Sequence, residues 1–107
     1  MSLRRNLELM LERGQDSPLL RFSLGNECLK ERDYLGAVEH LRRALDLNRD
    51  YSAAWKLLGQ AHAGAGNAAR AAAVYAEGIA VAIARGDVQA AREMQVFLKR
   101  LRNQPPG

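Results

Sequence analysis

Three side chains in this 107-residue chain have the chemistry for nucleophilic or metal work: Cys28, His40 and His62. A thiolate and an imidazole act together only within hydrogen-bond reach, about 3 Å, and a zinc ion asks for three or four ligands at suitable spacing. His40 stands beside Val38 and Leu41 and reads as a partly exposed surface histidine. Cys28 and His62 lie 34 residues apart, at matching places of a repeat; if these places fall on neighbouring stacked helices, the axes are about 8–10 Å apart. No catalytic or metal-ligating residue is assigned, and no cofactor is expected. The glycine-rich GAGN at 64–67 follows a helical pattern and lacks the Lys and Ser or Thr of a phosphate loop, so it reads as a hairpin turn.

The repeat that places these residues is visible in the small and apolar positions. Gly25 and Gly59 are 34 residues apart, and the same step relates Leu24 to Leu58, Ala37 to Ala71, Ala44 to Gly78 and Asp33 to Asn67. A period of that length belongs to stacked helical hairpins. Aromatics are 6% of the chain, alanine, the best helix former, is abundant, and no segment alternates with period two. An all-α fold follows.

Along the chain, Leu3, Leu7, Met10 and Leu11 place an apolar stripe on a helix at 2–13, ended by Gly14. Asp16, Ser17 and Pro18 start the next helix, to about residue 31. Asp33 caps a helix bearing Tyr34, Ala37, Val38, Leu41, Ala44 and Leu45 on one face and fading near Asn48. The second hairpin has helices at about 52–63 and 68–85, with Asn67 capping the latter. Gly86 and Asp87 then end one helix and start another, whose stripe is Val88, Ala91, Met94, Leu98 and Leu101. The organisation expected for 1–107 is one domain: a cover helix at 2–13, repeats at 18–51 and 52–85, a capping helix at 87–102, and a frayed tail at 103–107.

The formal charge is +4, but residues 1–50 hold nine basic and nine acidic side chains, so the excess lies in the second half. Its densest run, Lys99, Arg100 and Arg102, sits next to a helix end, where cations are favoured by the dipole and stay solvated. Arg42, Arg43 and Arg49, close to Asp46 and Asp50, read the same way. A lone cysteine, the absence of a signal-like apolar core in MSLRRNLELMLERGQ and the lack of any stretch near 20 apolar residues make a soluble cytoplasmic protein, without a membrane, the expectation.

On these residues the chain resembles the tetratricopeptide repeat (TPR) family, in the manner of a small bacterial-type member with about two repeats. The family pattern reads W-x-x-L-G-x-x-Y, then A-x-x-x-F, then a small residue and a Pro. Trp55, Leu58, Gly59, Ala71, Tyr75 and Gly78 match in one hairpin, and Leu24, Gly25, Ala37, Leu41 and Ala44 in the other. Arg21 replaces the Trp of the first hairpin, Cys28 and His62 stand for the Tyr, and Arg49 and Ile83 stand for the closing Pro. The missing second Pro agrees with a final repeat helix longer than usual. The resemblance implies a short solenoid of antiparallel hairpins between N-terminal and C-terminal capping helices.

It also implies a function: protein–protein interaction, with the first helices of the hairpins lining a concave groove that takes up a partner's peptide or helix. By position that groove would show Leu19, Phe22, Asn26, Leu29 and Lys30, then Ala53, Lys56, Gln60 and Ala63. Phe22 and Leu57 stand where members that clamp a terminal carboxylate have Lys and Asn, so no such clamp is expected. The stripe of Leu19, Phe22, Asn26 and Leu29 has two readings, core beneath a flanking helix or a docking face for an apolar or amphipathic segment, including a second copy of the chain. Nucleic-acid binding through the basic C-terminal helix is the other alternative, and an enzyme is not expected.

Overall fold

The computed structural model describes residues 2–104, and every regular element in it is an α-helix. These are α1 Leu3–Glu12, α2 Pro18–Lys30, α3 Tyr34–Leu47, α4 Ser52–Gly64, α5 Ala68–Arg85 and α6 Val88–Arg102. Five of the six start on a short polar side chain that accepts from a backbone N–H left over at the helix start. Ser2 takes Arg5, Ser17 takes Leu20, Asp33 takes Gly36, Asn67 takes Arg70 and Asp87 takes Ala90. Helix α4 has no such bond; Tyr51 precedes it. Asn103 closes α6, while Pro105, Pro106 and Gly107 of the expected tail lie outside the described residues.

The core is built where bulk is missing. Gly25, Ala37, Ala44, Gly59, Ala71 and Gly78 are all buried, and the side chains expected to fill the gaps, Leu41, Trp55, Leu58 and Tyr75, are buried with them. Close approach has a direct measure. A Cβ added at Gly78 would stand 2.7 Å from the Cβ of Trp55 and 2.7 Å from Met94 Sδ, and one added at Gly59 would run into the ring of Tyr75. The missing side chains are therefore what allow paired helices to come this near.

The stacking also sets the curvature. Cα atoms of α4 come within 8 Å of α2 and of α6, whereas those of α3 and α5 stay farther apart, as do those of α1 and α3. A two-layer array whose inner helices meet while its outer helices splay must bend toward the inner layer. Helices α2, α4 and α6 thus form the concave side of a slab 43 × 34 × 18 Å.

Several expectations for the flanking helices need correction. Leu3 and Met10 of α1 are exposed, Leu7 and Leu11 only half-buried, and no residue of α1 is buried. Polar bonds help hold this helix: the Arg4 guanidinium donates to the carboxylates of Glu31 and Asp33. In α6, Ala91, Met94 and Leu98 face the core, but Val88 is exposed; Ala90 is buried, and Phe97 packs on Tyr75 with ring centroids 5.8 Å apart. Helix α5 has 18 residues against 14 in α3, and Ile83, in the place of the family's Pro, lies exposed within it.

Candidate functional site

The inner layer presents α2, α4 and α6 side by side. Leu19, in the first turn of α2, is 64% exposed. One helical turn on, Phe22 is half-buried, and its ring stacks on Tyr51 at 5.0 Å between centroids. Asn26 and Leu29 are half-buried, and Lys30 is exposed, with Nζ 2.9 Å from Glu27 Oε2. On α4, Ala53, Lys56, Gln60 and Ala63 are half-buried. No Cα of α6 comes within 8 Å of one in α2, and the aromatic partner of Phe22 comes from the linker ahead of α4.

Electrostatics tie α4 to α6. Lys56 Nζ donates to Glu93 Oε2 at 3.0 Å, a partner that local sequence reading does not supply, because Glu93 lies 37 residues away on a helix inferred only from periodicity. The basic run Lys99, Arg100 and Arg102 occupies the last turn of α6 and is exposed.

The residues with chemical potential are placed as packing or bridging groups. Cys28 is fully buried, and burial pushes its thiol up from the ordinary range, away from the thiolate a nucleophile requires. His40 is half-buried rather than simply on the surface. Its Nδ1 lies 3.1 Å from an Arg21 guanidinium nitrogen, and Arg21 also donates to Asp16 Oδ1 at 2.9 Å. That bridge uses Nδ1 as acceptor, so the ring is neutral with its proton on Nε2. Burial, then the Arg21 charge, hold the His40 pKa down, and the same guanidinium lowers that of Asp16. Arg21 thus answers the missing tryptophan of the first hairpin with a polar staple from Asp16 to His40.

His62 is 6% exposed, with its Nε2 lacking any hydrogen-bond partner. Burial first, then Arg42 and Arg70, lower its pKa. His62 lines one of four clefts of about 380–460 Å³ along α3 and α5. None of the inner-face residues named above lines these four clefts.

Comparison with known proteins supplies the family. TPR repeat-containing protein PA0015 of Pseudomonas aeruginosa is 47% identical over 95 residues, which cover 89% of this chain and 90% of that protein. The chain belongs to the tetratricopeptide repeat family. The solution structure of protein BPP2914 from Bordetella parapertussis is 44% identical and superposes with a TM-score of 0.85, covering 94% of this chain and 88% of that one. A tetratricopeptide repeat domain protein from Salinibacter ruber, 23% identical, shares the fold with a TM-score of 0.78 over 86% of this chain and 93% of its own. No family model matches the chain. TPR domains generally serve protein–protein interaction, and all six small positions on which the resemblance rests are buried at helix crossings here. Among the described residues, no helix is long and apolar enough to cross a membrane.

Proposed function

We propose that this TPR protein is a non-enzymatic docking module whose inner face, on α2 and α4, takes up an amphipathic segment of a partner protein. The apolar side of that segment lies along Leu19, Phe22 and Leu29. Its polar side meets Asn26, Lys30, Lys56 and Gln60, with Ala63 beside them. One observation carries the reading: the backbone of α6 stays more than 8 Å from that of α2, and Leu19 at the head of the stripe keeps 64% of its surface in water. Leu19 with the half-buried Phe22 and Leu29 on the same helical face gives the i, i+3, i+10 apolar stripe along which an amphipathic segment can lie.

Phe22 is a poor place to test this, because its ring packs on Tyr51 and on the core. Leu19→Glu is the cleaner variant, since the position is exposed and lies just inside a helix start that favours acidic groups. Proteins captured by the wild-type chain should be lost from Leu19→Glu at unchanged helicity, weakened by Lys56→Glu, and retained by outer-face variants such as Ala73→Glu. Capture unaffected by both inner-face variants removes the proposal. Sedimentation of the purified chain identifies the case in which the partner is a second copy: a dimer that Leu19→Glu converts to monomer.

A further inference from the structure

The outer side of the slab carries a second feature independent of the inner face. Between α3 and α5, whose Cα atoms stay more than 8 Å apart, runs a groove floored by α4. Two adjoining clefts of about 390 and 430 Å³ make it up, and Arg42 lines both. At one end Leu35 and Val38 form an apolar wall, Arg70 stands on the α5 side, and His62 lies below. Leu35 is 80% exposed, the most exposed of the large apolar side chains among the described residues.

The charges in this part of the groove are one-sided. Neither Arg42 nor Arg70 has an ion-pair partner among the described residues, whereas Arg43, next along α3, lies 3.8 Å from Asp16. No acidic side chain lines the cleft that holds Arg42, Arg70 and His62; Asp46 lines the adjoining one, and Glu39 and Asp46 line a third on the other side of Leu35, Val38 and Arg42. Both arginines act on His62 by charge, so their fields overlap there. His62 is more than nine-tenths buried, with Nε2 unpartnered. Two guanidinium groups without ion-pair partners beside an apolar wall make a site short of an acceptor with negative charge. Guanidinium forks match carboxylates in shape, each offering paired N–H donors.

We propose that the groove between α3 and α5 binds an acidic peptide segment. Its carboxylates engage Arg42 and Arg70, and an apolar side chain packs on Leu35 and Val38. The occupant is a peptide rather than a free anion because the Leu35–Val38 wall offers contact that phosphate cannot use. This makes the molecule two-sided: an apolar inner stripe and a cationic outer groove, each able to hold its own partner segment.

The probe is a fluorescein-labelled, acetylated and amidated hexapeptide alternating Leu and Glu, followed by fluorescence anisotropy with the full chain in low salt. Its Leu–Lys counterpart serves as control. Binding of the Leu–Glu peptide only, weakened tenfold or more in Arg42→Glu/Arg70→Glu and severalfold in Leu35→Ser, is expected. Leu19→Glu should leave it unchanged, which separates this site from the inner face. The His62 imidazole resonances in nitrogen–proton correlation spectra should move on binding to wild type and stay still with the double variant. Circular dichroism verifies that the variants fold, and Arg42→Ala/Arg70→Ala should give the same loss without added acidic charge. No binding, binding indifferent to the arginine pairs, or binding lost in Leu19→Glu overturns the proposal. So does a single-stranded oligonucleotide that outcompetes the peptide, or self-association that Arg42→Glu/Arg70→Glu abolishes.

Discussion

The two hairpins solve one packing problem by different means. In α4–α5 the pivotal position holds Trp55: its ring is buried, its Nε1 donates to the Arg49 carbonyl at 2.8 Å, and the Arg49 guanidinium lies 5.3 Å above it. In α2–α3 the same position holds Arg21, half-buried and fixed by Asp16 and His40. Helix α4 buries eight residues and α2 only four, because α4 has α2 and α6 on its flanks, whereas the flank of α2 opposite α4 has only the sparsely packed α1. The interior hairpin is held by apolar burial. The terminal one leans on polar bridges, which let an array end without exposing a wide apolar face.

The largest effect should come from exchanging these devices for alanine. Trp55→Ala removes a buried aromatic at the centre of the stack and should cost about 3–5 kcal/mol, read as a fall in the urea midpoint at unchanged slope. Arg21→Ala removes a partly exposed bridge and should cost about 1 kcal/mol or less. Equal losses at the two sites would break the contrast between the hairpins.

Next in size is the tolerance of the crossing points. A methyl group at Gly59 collides with the stiff ring of Tyr75, whereas at Gly25 it meets the branched end of Leu41, 2.5 Å from its Cγ. A leucine can change rotamer, but a buried tyrosine ring between Gly59 and Phe97 cannot easily do so. Gly59→Ala should therefore cost about 1–3 kcal/mol, and Gly25→Ala less, by the same denaturation assay.

The histidines sharpen the contrast through pH. Burial holds the folded-state pKa of both His40 and His62 below the ordinary imidazole value. The unfolded chain then binds protons more readily than the folded one, so stability is full above about pH 6.5 and is lost as pH falls through the folded values. Melting temperature should drop between pH 7.5 and 5.5. In the first hairpin, protonation also sets a cation against Arg21, so His40→Gln should flatten the profile along with loss of the bridge. His62→Gln should flatten it without touching any bridge. A wild-type profile level over this window would show that neither histidine stays neutral in the fold.

Most of this architecture was legible because it is written in short-range chemistry. Caps such as Ser17, Asp33, Asn67 and Asp87 act within three residues, and Gly25, Ala37, Gly59 and Ala71 recur at the period of a hairpin, so helix starts and crossing points could be read along the chain. What could not be read depends on pairs of distant residues. Glu93 reaching Lys56, His40 meeting Arg21, and Arg42 facing the same histidine as Arg70 are decided by stacking, and locally each charge looks like a solvated helix-end group. The rotation of the flanking helices was also hidden. Leu3 and Met10 have the spacing of a buried stripe, yet α1 has only one neighbouring helix to bury it against.

The smallest difference between the hairpins lies in their turns, and it tests whether the repeat extends to the backbone. Gly66 ends α4 with φ of +82°, and 34 residues earlier Arg32 ends α2 with φ of +58°, the only non-glycine residue in the left-handed region among those described. An L-residue in that region carries about 1–2 kcal/mol of strain that glycine does not. Glycine, however, gives the unfolded chain extra freedom and returns roughly half of that gain. Arg32→Gly should therefore raise stability by about 0.5–1 kcal/mol. Gly66→Ala should lower it by a similar amount, with no steric share, since nothing stands within 4 Å of a Cβ placed there. If Arg32→Gly instead destabilises the protein, the arginine side chain must hold the first turn together, and the terminal hairpin is even more dependent on polar contacts than Arg21 and Arg4 already make it.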